Sequence, residues 1–128
     1  MRPITLIPLI ALAACVQDAP VDGKLAFMDN CAACHGASGQ GDGPLAANLT
    51  PTPPDLTRIA ARNGGVFDRA YVASFIDGLD RGQHNADVMP EFGAGDLGPL
   101  VTTDEDGVPV PIPLKLLVLT DYVESIQQ

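Results

Sequence analysis

Two cysteines and a histidine within five residues, Cys31-Ala32-Ala33-Cys34-His35, are the part of this chain best equipped for chemistry. Thiols at this spacing can close a disulfide, cycle as a redox pair, bind a soft metal, or add to the two vinyl groups on one edge of a haem. The last use employs both thiols and the adjoining histidine. The thiolates form two thioether bonds, and the adjoining imidazole swings under the iron as its proximal ligand. The rival uses account for less. No βαβ pattern surrounds the pair, as a thioredoxin-type redox disulfide would require, and a bridge across two residues staples almost nothing. Zinc held by Cys31, Cys34, His35 and His84 would need the neighbours Cys34 and His35 on one tetrahedral ion, an awkward arrangement. One covalent haem, with His35 on iron, is the favoured reading.

The chain contains three cysteines, and the third, Cys15, falls at the end of a leader. Arg2 supplies a minimal positive start, and Ile4 to Ala14 is an apolar run too short for a bilayer, which takes about 20 helical residues. Leu12-Ala13-Ala14-Cys15 resembles the bacterial lipobox, which implies cleavage before Cys15 and lipid on that residue. Ordinary cleavage after Ala13, leaving a free thiol, is the rival. The expected organisation is a lipoprotein-type signal over 1–14, a short tether over 15–20, and one domain over 21–128. Export to the periplasm follows from the signal, with lipid on Cys15 holding the domain at a membrane.

The remaining elements must position the haem ligands. Asp22 caps an expected helix running to Cys34, on which Gly23, Phe27 and Cys31 recur every four residues and share a face. Gly36 to Pro44 is a glycine-rich loop. A short helix over 56–62 stops at Asn63-Gly64-Gly65, and another over 68–77 starts on Asp68 and ends at Gly78. The loop over 79–95 carries Met89. An inserted segment over 98–113 has hairpin chemistry, with Asp106-Gly107 at its turn. A last amphipathic helix over 114–127 presents Leu114, Leu117, Val118, Tyr122 and Ile126 at helical spacing.

Several of these stretches resemble the class I c-type cytochrome family: Gly23-x-x-x-Phe27-x-x-x-Cys31, Gly41-Asp42-Gly43-Pro44, Pro53-Pro54-Asp55-Leu56-Thr57 and Met89-Pro90. The resemblance implies an all-α fold of about four short helices round one haem, here with a β-hairpin before the last helix. It implies that Tyr122 meets Gly23 and Phe27 where the terminal helices cross. It also implies that the Pro44 carbonyl accepts the Nδ1 hydrogen of His35, and that Met89 is the sixth iron ligand. Met28 lies on the first helix, and His84 is the only rival to Met89.

Composition limits the functions available. Of 128 residues, 46% are hydrophobic but only 5% aromatic, so a cofactor is welcome in the centre of so small a core. Losing Arg2 with the leader leaves six basic against sixteen acidic residues, a net of about −10, which excludes nucleic acid as a partner. Arg58, Arg62, Arg69 and Arg81 are candidates to pair with haem propionates, although most belong on solvated faces. No nucleophile–base pair is present, so the expected role is an electron carrier and not an enzyme. Its expected partners are redox proteins with a basic docking rim. The alternative is a haem-bearing relay subunit of a larger dehydrogenase or oxidase.

Overall fold

The computed structural model describes residues 20–79, 88–105 and 107–128. Cys15 and the leader, Arg81, His84 and Asp106 lie outside these. The described residues form helices α1 (Gly23–Asn30), α2 (Ala32–His35), α3 (Ile59–Arg62), α4 (Arg69–Asp77) and α5 (Leu114–Ser125), with strands β1 (Leu100–Glu105) and β2 (Val108–Pro113) before α5. The mostly helical architecture with one hairpin is the expected one.

Local signals start the helices where they should. The Asp22 carboxylate accepts from the Leu25 N–H at 2.8 Å, and Asp68 does the same for Tyr71 at 2.9 Å, each satisfying a donor at a helix start. The single helix expected over 21–34 is instead two pieces joined at Cys31, which caps the first and whose backbone (φ −119°, ψ −34°) stays in the right-handed region. The following loop folds back over the last turn of α2, where the carbonyls of Ala33 and Cys34 accept from the Leu45 and Gly43 N–H groups. The segment over 56–62 likewise divides, into a 3₁₀ turn (Leu56–Arg58) and the one-turn α3.

The core sits where α1 crosses α5. Phe27 and Leu119 are fully buried, joined by Leu116, Val123, Val72, Ala73 and Ile76 from α5 and α4. The Phe27 and Tyr122 rings meet with centroids 5.1 Å apart. Gly23 makes the crossing this close, because a Cβ there would lie 1.9 Å from the Val118 carbonyl oxygen. Arg69 of α4 forms ion pairs with both Asp121 and Glu124 of α5. At its far end, α5 is tied down by Gln127, which accepts from the Ala60 N–H and donates to the Leu56 carbonyl.

The hairpin pairs Leu100 with Pro113, Thr102 with Pro111 and Asp104 with Pro109. Proline has no N–H, so these are the pairs without ladder bonds, and the missing donors all face the outer edge of β2. The turn is closed by Asp104, which accepts from the Gly107 N–H at 2.8 Å.

Candidate functional site

Helix α2 holds the chemistry. Its backbone is fixed by Cys34 and His35 N–H bonds to the Cys31 carbonyl, at 3.1 and 2.9 Å, and by Gly36 to Ala32 at 2.9 Å. Cys31 and Cys34 are half-buried, free and one helical turn apart, while His35 is buried. The spacing read from the sequence therefore becomes a compact turn carrying two thiols and one imidazole.

The loop after α2 brings in the partner of that imidazole. Gly41 donates to the His35 carbonyl at 2.8 Å, and Leu56 donates to Gly39 at 2.7 Å, so the strand of chain over 53–56 runs beside the loop. A Cβ on Gly41, whose φ is +82°, would lie 2.4 Å from the Pro53 carbonyl, so this approach needs glycine. It delivers the Pro54 carbonyl to 3.2 Å from His35 Nδ1. This corrects the expectation for Pro44, which is exposed in the part of the loop folded back over α2. Any backbone carbonyl serves as the acceptor, and the one that arrives comes from a proline ten residues further on.

That contact assigns the tautomer. A carbonyl only accepts, so Nδ1 carries the hydrogen and the Nε2 lone pair is left to bind a metal. Burial lowers the His35 pKa, and the Pro54 carbonyl partly opposes this by favouring the protonated ring. The imidazole is thereby kept neutral, as a ligand must be. Burial, with a smaller contribution from Cys34, pushes the Cys31 thiol up to about 11. Among the described residues no group of three or more His, Cys, Asp and Glu side chains is gathered to hold a metal.

Met89 is partly buried and packs against the same core cluster as Cys31, whereas Met28 is exposed on α1. His84 and Cys15 lie outside the described residues. Of the arginines, Arg69 is engaged by Asp121 and Glu124, and Arg62 donates to the Asp55 carbonyl at 2.9 Å. The sequence reading missed Pro54 as the histidine's partner, although Pro53-Pro54 had been picked out as family-like.

Taken together, two half-buried thiols at one-turn spacing, a neutral imidazole with Nε2 open and a thioether on the same core fit a covalently held haem. Haem supplies one-electron chemistry at iron; the chain's part is to anchor it, orient His35 and shield the centre. Among the described residues no helix is long and apolar enough to cross a membrane. The model of the family described as cytochrome c matches residues 20–104, from three residues before α1 to the penultimate residue of β1. No curated protein and no solved structure matches the chain.

Proposed function

This chain belongs to the cytochrome c family, and from that premise we propose that it binds one haem through Cys31 and Cys34 and passes single electrons between protein partners on the periplasmic side. The observation that carries the reading is the His35 ring, with Nδ1 on the Pro54 carbonyl and Nε2 open, one residue from a half-buried thiol. Met89 completes the iron's ligands in this reading, and lipid on Cys15 keeps the domain beside its membrane. With the tether no longer than 15–20 and at most about 3.5 Å per extended residue, the domain stays within roughly 20 Å of that anchor.

Acid–organic extraction tests the attachment. Haem should remain on the denatured chain and give the pyridine haemochrome spectrum of two saturated vinyls. Cys31→Ala or Cys34→Ala should yield little holoprotein. Release of all haem from the wild type would overturn the reading. A relay subunit of a larger complex is the second reading, favoured by the hairpin, which minimal relatives lack; a stoichiometric partner on purification would select it.

A further inference from the structure

The hairpin does more than decorate the surface, because it encloses a cleft of about 720 Å³ with the starts of α4 and the middle of α5. That volume lies within the range of clefts that hold ligands, about 300–1,000 Å³. Neither cysteine lines it, nor do His35 and Met89, so it is separate from the haem ligands. Its floor is apolar, with Phe67, Ala73, Ile112 and Leu117. Its rim is acidic. Asp104 and Glu105 come from the hairpin tip and Asp68 from the start of α4. The one base in the wall, Arg69, is already bound to Asp121 and Glu124 outside the lining, so the three rim carboxylates have no free base beside them in the cleft.

We propose that this cleft docks a segment of a partner protein that places an apolar side chain on the floor and lysine or arginine against the rim. The proposal rests on the reading of the chain as a carrier that meets protein partners, and it names the chemistry of one such partner. A free cation would leave Phe67, Ile112 and Leu117 without a counterpart, and a neutral apolar ligand would leave the carboxylates uncompensated. Strand addition to β2 is ruled out, since Pro109, Pro111 and Pro113 remove the donors from its outer edge. A basic segment with an apolar anchor satisfies both parts of the cleft. The hairpin would then hold a partner by a surface distinct from the haem-ligating turn, the arrangement expected of a relay held beside its donor or acceptor.

The probe is a short amidated peptide with phenylalanine between lysines, titrated into the ¹⁵N-labelled holoprotein at low salt. Amide shifts should concentrate at Phe67, Thr103, Ile112 and Leu117. Affinity should fall about fivefold when Asp104→Asn and Glu105→Gln are combined, given the usual strength of exposed charge pairs. Ala70→Trp fills the cleft from the exposed side of α4 without changing its charge, and should weaken binding as well; the haem absorbance of each variant confirms that it is folded and loaded. Two results would overturn the proposal: equal binding of the glutamate counterpart, or shifts scattered over the acidic surface with no focus at the cleft. The wild-type sample's haem spectrum and its reversible reduction by ascorbate test the carrier reading separately. Their failure would remove the function, whereas failure of the peptide alone removes only the cleft.

Discussion

At the residue scale, the site works through small contacts that fix protonation and orientation. In the proposed reading His35 would bind iron through Nε2, the nitrogen left open by the tautomer that the Pro54 carbonyl selects. Met89 is the residue whose role most needs a direct measurement. A thioether ligand favours ferrous iron and raises the potential, so Met89→Ala should lower the potential, remove the near-infrared sulfur-to-iron charge-transfer band and open the ferrous iron to carbon monoxide. The same effects from His84→Ala would reassign the ligand. One residue from Pro54, Asp55 accepts from both the Thr57 hydroxyl and the Thr57 N–H, at 2.6 and 2.9 Å. The hydroxyl bond is the main cause of a carboxyl pKa below its ordinary value. The folded state therefore binds this proton less readily than the unfolded chain does. The resulting stability is present above the unfolded value, about 3.9, and is lost as pH falls through the lower folded value. In Asp55→Asn that part of the acid loss should vanish, which urea unfolding of the holoprotein between about pH 2 and pH 5 would measure.

At the scale of elements, the crossing of α1 on α5 depends on one missing side chain. A methyl on Gly23 would meet the Val118 carbonyl, a backbone atom that cannot step aside. Gly23→Ala should therefore push the helices apart and destabilise the holoprotein by about 1–3 kcal/mol in guanidinium unfolding, the usual cost of overpacking. An unchanged midpoint would show that α5 slides without penalty. That Tyr122 meets α1 came only from the family resemblance, whereas the shared face of Gly23, Phe27 and Cys31 was legible because residues four apart fall on one side of any helix. The Asp22 and Asp68 caps and the Asp-Gly hairpin were legible for the same reason: a carboxylate or a glycine acts within three or four residues of itself. The Pro54 carbonyl and the Gln127 ties were not. Each depends on which distant backbone group arrives, and every residue but proline offers the same N–H while all offer the same C=O. The Pro44 expectation failed on this point, since nothing in a proline's side chain marks its carbonyl as the one that will be used.

At the scale of the whole molecule, charge should govern how partners approach. A formal net charge of −9, from seven bases against sixteen acids, creates a field that steers encounters more than it sets final affinity. Screening reaches about 8 Å at physiological ionic strength, so the steering is strong only in dilute salt. Two inorganic reagents of opposite charge separate the field from any particular docking contact. The rate of oxidation by a cationic cobalt complex should fall as salt rises, because screening weakens attraction. The rate with anionic ferricyanide should climb over the same range, because screening weakens repulsion. These slopes report the potential where electrons leave, not the net charge of the molecule as a whole. If both rates were flat, the haem edge would lie in a neutral window and the acidic surface would serve only the hairpin cleft. If the slopes were reversed, the edge itself would be locally basic, and the physiological partner would have to present acids there and bases elsewhere. The expected pair of opposite slopes is the outcome that fits a basic rim around the partner's redox centre.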